Sequence, residues 1–305
     1  TFKQNMFPRL KAESFMPMNP DEWGENAWYP PGHGDFYNCI QQQGILGQLI
    51  ENGKDILFIS NADNLGAVAD SKILNYMIEK KIPFLIEVTP KTPSDVKGGT
   101  LYEQKGKLKL LEIAQVPKEH IEEFCSQEKF SVFNTNNIWM NLGVLEERLK
   151  EGPLDLNVIV NRKTIEGQSV VQLETAIGSA IDCIDDAVGL CVSRDRFMPV
   201  KKTEDLLLVQ SNLFNLEEGR LVRNRKRKNP HLPEIKFGQP LDQLDAFNKC
   251  FAALPDLLDL ESLDASGQIS FEGVVTLKGR VELKGINKPI LIENGRQLIN
   301  ESIEG

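Results

Sequence analysis

Short apolar runs alternate with helix-spaced segments through the first half of the chain. Asp55 to Ser60 (D-I-L-F-I-S) is an apolar run that opens into Asn61-Ala62-Asp63-Asn64, which reads as a buried strand ending in a polar loop. From Asp70 to Lys81 the apolar residues Ile73, Leu74, Met77 and Ile78 fall at helical spacing. Pro83 to Val88 is a second strand-like run, stopped by Thr89-Pro90-Lys91. Leu108 to Val116, Phe130 to Phe133 and Val158 to Val160 read as further strands. The alternation predicts an α/β domain built on a mixed sheet. In such sheets ligands collect at the carboxyl ends of strands. Asn61, Asp63, Lys91 and the Asn134-Thr135-Asn136-Asn137 segment all sit at such ends, although Asn and Asp also stop strands for turn reasons alone.

From Ile269 the pattern changes period. The chain reads I-S-F-E-G-V, V-T-L-K-G-R, V-E-L-K-G-I, so that Ile269, Val275 and Val281 recur every sixth position, as do Phe271, Leu277 and Leu283. Gly273, Gly279 and Gly285 keep the same step. A hexad with glycine at a fixed offset predicts a parallel β-helix, each hexad giving one short strand and the glycine permitting the corner. One coil cannot bury its own inner face, so it is expected to pack on the rest of the chain or on another subunit. The expected division is a catalytic domain over residues 1–259 and a β-helix over 260–305. Between them, Arg223 to Lys228 (R-N-R-K-R-K) reads as a solvated basic loop, with contact to an anionic ligand or partner as the rival reading.

Composition narrows the field. The 305 residues are 41% hydrophobic and 26% charged, as in an ordinary globular protein. A net charge of −9 argues against a nucleic-acid surface. A nucleotide can still be held where a few lysines converge. No apolar run is long enough to span a bilayer. Five cysteines, none in C-x-x-C spacing, argue against a disulfide framework or zinc site and suggest a reducing compartment, the cytoplasm. Only three histidines occur, and no Walker loop, G-x-S-x-G or H-E-x-x-H is present. What remains are polar clusters rich in Gly, Asn and Lys at strand ends. Such a set suits positioning and charge stabilisation rather than covalent catalysis.

Several segments, in order, resemble the eukaryotic-type UDP-glucose pyrophosphorylase family. They are Trp28-Tyr29-Pro30-Pro31-Gly32-His33-Gly34-Asp35, Ser60-Asn61-Ala62-Asp63-Asn64, Glu87-Val88-Thr89-Pro90-Lys91-Thr92 and Asp95-Val96-Lys97-Gly98-Gly99-Thr100. Leu111-Glu112-Ile113-Ala114-Gln115, Phe133-Asn134-Thr135-Asn136-Asn137, Gln172-Leu173-Glu174-Thr175-Ala176 and Arg196-Phe197-Met198-Pro199-Val200-Lys201 continue the series. The resemblance implies a Rossmann-like nucleotidyltransferase domain followed by a left-handed parallel β-helix. It implies uridylyl transfer from UTP to glucose 1-phosphate, giving UDP-glucose and pyrophosphate. A UDP-N-acetylhexosamine or broad UDP-sugar pyrophosphorylase is the nearest alternative, and a non-catalytic binding or assembly module is another.

Roles follow residue by residue from the same resemblance. Gln4 falls where the family contacts uracil, and Gly32 and His33 lie in the loop that approaches nucleotide and sugar phosphate. Asn61, Ala62 and Asp63 match the ribose and metal positions, with Asp63 expected to hold Mg²⁺. Asn136 matches a glucose contact, with Gly98, Gly99 and Glu112 as further glucose-hydroxyl candidates. Lys201 matches the catalytic lysine that reaches the phosphates, and Lys91 is a second basic candidate there. The family's Gly-rich nucleotide loop lies upstream of the Gln4 motif, so the domain is expected to be incomplete at its N-terminus and impaired alone. Self-association is expected through the β-helix.

Overall fold

The computed structural model describes residues 1–92 and 95–305. The chain divides into two compact units, one of residues 1–61 and 69–194, the other of residues 62–68 and 195–305. Within the second unit the strand Glu234–Phe237 pairs in parallel with Leu260–Phe271.

The first unit is organised by a four-stranded mixed sheet. Val188–Cys191 pairs in parallel with Phe84–Pro90, which runs antiparallel to Val132–Asn141, itself antiparallel to the edge strand Ile56–Ile59. Residues 84 to 89 of the second strand are buried without interruption. The reason is period-two alternation with cover on both faces. Phe84, Ile86 and Val88 join Ile138 and Met140 under Tyr37, Ile40, Leu46, Leu142 and Leu145. Leu85 and Trp139 face the other way, onto Ile73 and Met77. Those last two lie four residues apart on the helix Ser71–Lys80. The Asp70 carboxylate caps that helix, accepting from the Lys72 N–H at 2.8 Å. The strand expected over 108–116 ends earlier, at Leu111, and gives way to a short 3-10 turn over Ile113–Gln115 whose Gln115 side chain accepts the Glu112 N–H. Against expectation, Asn134–Asn137 is not a loop after a strand. Val132–Asn141 is one continuous strand that runs through these residues.

The second unit holds the hexad region. Leu260–Phe271 and Thr276–Ile292 pair in parallel, with Leu263 opposite Val281 and Ala265 opposite Leu283, a step of three hexads. Gln297–Ile299 and Ser302–Glu304 continue the parallel stack on the same strand. Ile269, Phe271, Val275, Leu277, Val281 and Leu283 are all buried in one core with Leu207 and Phe247 from flanking helices. The glycines act in two ways. Gly279 has φ +62 and occupies the left-handed region, as the corner argument requires. Gly273 and Gly285 have no such angle; they are small because a Cβ there would run into Asn294 and the Gln268 carbonyl of a neighbouring turn.

Candidate active site

A cavity of about 340 Å³ opens in the first unit, lined by Gln4, His33, Ser60, Asn61, Asn136 and Ile177, with Phe2, Phe36 and Ile59 as its apolar wall. Four residues singled out from sequence, Gln4, His33, Asn61 and Asn136, therefore meet. Each arrives by a different device. Gln4 donates through Nε2 to the Gly32 carbonyl at 2.5 Å, which ties the first residues of the chain to the P-P-G-H-G loop. Gly32 takes φ +83, and a Cβ there would lie 2.5 Å from the Thr175 carbonyl oxygen and 2.8 Å from its nitrogen. The loop can pass the Gln172–Ala176 motif only without a side chain at that point.

His33 follows directly. Its Nδ1 accepts the Ile177 N–H at 2.8 Å, which leaves Nε2 to carry the proton and serve a ligand. Burial pushes the imidazole pKa below its usual value, partly opposed by the Glu174 carboxylate. The ring is therefore a neutral donor near neutral pH. Asn61 stands just past the end of Ile56–Ile59, at the carboxyl end where the pattern placed it.

Asn136 comes from a bulge. Glu87 sits opposite Asn137 and Val88 opposite Asn134, so Thr135 and Asn136 have no cross-strand partner. Asn136 adopts φ +57, unusual for a non-glycine residue. It is stabilised locally, because its N–H donates to Asn134 Oδ1 and Asn134 Nδ2 donates back to Asn136 Oδ1, both at 2.9 Å. Asn134 also ties the bulge to the segment before the strand Thr100–Gln104, its N–H donating to the Gly99 carbonyl at 2.8 Å.

The second unit contains Ala62, Asp63 and Lys201. Lys201 Nζ lies 3.9 Å from Asp63 Oδ2. The backbone arranges this, since Val200 N–H donates to the Asp63 carbonyl at 2.9 Å and the Asn64 side chain accepts the Met198 N–H at 2.8 Å. Asp205 then holds the backbone N–H groups of Lys201 and Lys202 at 2.9 and 3.1 Å. Asp63 Oδ1 is buried and takes no hydrogen bond among the described residues. Ala62 is exposed and brings no side-chain chemistry.

The family model described as UTP--glucose-1-phosphate uridylyltransferase matches residues 1–278. The chain belongs to that family. It is 46% identical to a UTP--glucose-1-phosphate uridylyltransferase from Solanum tuberosum and 45% identical to one from Pyrus pyrifolia, in each case over 100% of this chain and 65% of the relative. The chain thus spans about two thirds of the length of the curated relatives it matches. Among solved structures it is similar to a mutant UDP-glucose pyrophosphorylase from Leishmania major, at TM-score 0.90 and 34% identity, covering 100% of this chain and 68% of that one. A second mutant of the Leishmania major enzyme, solved in complex with UDP-glucose, matches at TM-score 0.86 and 35% identity, over 99% of this chain and 68% of that one.

The remaining expected site residues of this uridylyltransferase-family chain lie off the cavity lining. Gly99 packs on Glu112 so closely that a Cβ would lie 2.5 Å from Glu112 Oε1. Gly98 likewise abuts the Phe133 ring. Burial raises the Glu112 pKa. Lys91, expected near the phosphates, lies in the first unit. It is buried, donates through Nζ to the Phe124 carbonyl at 3.1 Å and stands 4.7 Å from the centre of the Phe124 ring. Burial lowers its pKa, with Cys125 and Asp95 opposing. In the Arg223–Lys228 run, Arg225, Lys226 and Lys228 are exposed as a solvated loop would be, whereas Arg227 donates to the His231, Leu257 and Leu258 carbonyls and so braces backbone. Sequence reasoning missed Ile177 as a lining residue and Thr175 as the packing partner of Gly32. Their signal was the Q-L-E-T-A run, noted as a motif but given no partner.

Proposed function

We propose that the chain carries the sugar-handling and phosphate-handling groups for uridylyl transfer between UTP and glucose 1-phosphate, with UDP-glucose and pyrophosphate as products. The observation that carries this reading is the approach of Lys201 to Asp63 at 3.9 Å. Both substrates are polyanions, so bringing them together is electrostatically unfavourable. The attacking phosphate oxygen is already ionised, so no general base is needed, and catalysis reduces to in-line positioning and charge stabilisation. Lys201 supplies an exposed ammonium for the phosphates and acts as the catalytic residue.

Asp63 is suited to Mg²⁺. The described residues contain no cluster of three His, Cys, Asp or Glu. A single carboxylate with an unclaimed buried oxygen matches an ion that takes one or two protein carboxylates plus substrate phosphates. When bound, it would offset phosphate charge. In the first unit Gln4 serves the base and Asn61 the ribose, while Gly32 lets its loop approach the nucleotide and sugar phosphate and neutral His33 donates toward them. Asn136, with Gly98, Gly99 and Glu112 behind it, serves the glucose hydroxyls. The parallel coil is assigned the left-handed form and the role of self-association surface, supported by exposed Ile286 and Leu291. Free thiols at Cys39, Cys125, Cys183, Cys191 and Cys250 fit a cytoplasmic setting.

Titration calorimetry of this chain with UDP-glucose and UDP-N-acetylglucosamine, each with Mg²⁺, tests the reading. UDP-glucose is expected to bind at least about tenfold more tightly, since a hydroxyl-reading site leaves polar groups unpaired with a bulkier substituent. Equal binding would favour a broad UDP-sugar site, and binding of neither would favour an assembly module.

A further inference from the structure

We infer that Glu87 is a positioning residue: it pins the bulge at Thr135–Asn136 and thereby holds Asn136 in the cavity wall. Glu87 is fully buried at 0% exposure, in the strand Phe84–Pro90 directly before the register shift. Its Oε2 accepts from Asn137 Nδ2 at 3.1 Å and its Oε1 from Trp139 Nε1 at 2.8 Å. Both donors sit on the partner strand just past the bulge. The Glu87 carbonyl accepts the Thr135 hydroxyl at 2.7 Å, and that hydroxyl oxygen in turn accepts the Asn137 N–H at 3.2 Å. Asn136 is thus flanked on both sides in the chain by residues tied to Glu87, while Asn134 closes the detour from within.

The physical argument concerns alternatives. A strand pair without the bulge would satisfy more ladder hydrogen bonds and would relieve the positive φ of Asn136, so the detour costs free energy. Removing the bulge by extending the Val88–Asn134 register would carry Asn137 and Trp139 away from the Glu87 carboxylate and leave its buried oxygens unpaired, whereas extending the Glu87–Asn137 register would lose the Thr135 hydroxyl bond to the Glu87 carbonyl; both losses offset the cost of the detour. Buried polar networks are best attested in this register-setting use. The role deepens the proposed sugar site and rests on it for the identity of the ligand, but the pinning itself is independent of any ligand.

Glu87→Gln tests it. The amide keeps the shape but has one acceptor, so an N–H faces either Asn137 Nδ2 or Trp139 Nε1. Two readouts are needed: hydrogen exchange of the 134–137 amides and calorimetric binding of UDP-glucose. The variant is expected to exchange these amides at least about tenfold faster, and to bind UDP-glucose at least about tenfold more weakly with Mg²⁺ present. Adding Trp139→Phe removes one donor, and the double variant is expected to recover protection relative to Glu87→Gln alone. If Glu87→Gln does not fold, Trp139→Phe alone reads the same amides, with faster exchange expected. A fall in Tm with unchanged local exchange and unchanged binding makes Glu87 merely structural and overturns the inference. Wild-type chain that binds no UDP-glucose removes the sugar reading instead, and the exchange measurement alone then decides the pin.

Discussion

Asn136 sits in a wall where buried side chains hold the backbone through hydrogen bonds of 2.7 to 3.2 Å, whereas Lys201 reaches Asp63 across 3.9 Å with a side chain that is 64% exposed. The first arrangement is strained and fixed; the second is relaxed and loose. The contrast fits the roles proposed for the two groups. Groups that recognise neutral hydroxyls gain only if they are placed before the ligand arrives, because their individual hydrogen bonds are weak and ordering them later is costly. An ammonium acts over a longer range and on charge that shifts during the reaction, so its backbone anchor matters more than its resting rotamer.

The largest effect that could break this contrast is at Lys201. In a protein of its relatives' full length, Lys201→Ala is expected to lower the rate of uridylyl transfer by about 10²–10³-fold, the usual loss for one group stabilising developing charge. Sugar-ligand binding is expected to change by less than about threefold and Tm by about 1 °C or less, because an exposed ion pair contributes little stability. Steady-state kinetics and a melting curve read both. Unchanged turnover would remove Lys201 from the catalytic role.

Next in size is Gly32→Ala, which addresses the rigid side. The substitution meets a positive φ and two backbone atoms of Thr175. A loss of about 1–3 kcal/mol of stability is expected, together with looser tethering of Gln4. Gly44 provides the control: it has φ +70, and a Cβ there would meet nothing within 4 Å. Gly44→Ala therefore carries conformational strain alone, about 1 kcal/mol. Denaturant titration of both separates close approach from backbone strain; equal losses would mean that the approach to Thr175 is not limiting.

What the sequence made legible follows the same division. Periodic features were readable: the helix Ser71–Lys80, the strand Phe84–Pro90 and the inward residues of the hexads all follow from apolar spacing, which short-range sterics and burial impose directly. The approach of Asp63 to Lys201 was not readable from spacing, and only the resemblance to a family brought the two together. The bulge was hidden for a different reason. Asn134 to Asn137 has the composition of a loop, and nothing local reveals that Glu87, some fifty residues earlier, supplies the acceptors that keep it in a sheet. Nor does spacing reveal that aromatic rings and a carbonyl hold the Lys91 ammonium inside.

The smallest and most specific test concerns His33, whose ring belongs to the rigid wall yet carries a titratable proton. Nδ1 accepts the Ile177 N–H, so protonation there would replace an attraction by a clash of two donors. Burial already lowers the folded pKa, with only partial compensation from Glu174. The unfolded chain takes up that proton near the ordinary value of about 6.5, while the folded chain resists. Below that value the unfolded state holds more protons, so stability falls as pH drops from 7, and the loss ends only once pH passes the lowered folded pKa. Urea unfolding between about pH 7 and 5.5 should therefore show a steeper decline for the wild-type chain than for His33→Gln. Parallel slopes would show that the Ile177 contact does not hold the imidazole neutral, and His33 would then belong with Lys201 among the loosely held groups rather than with Asn136.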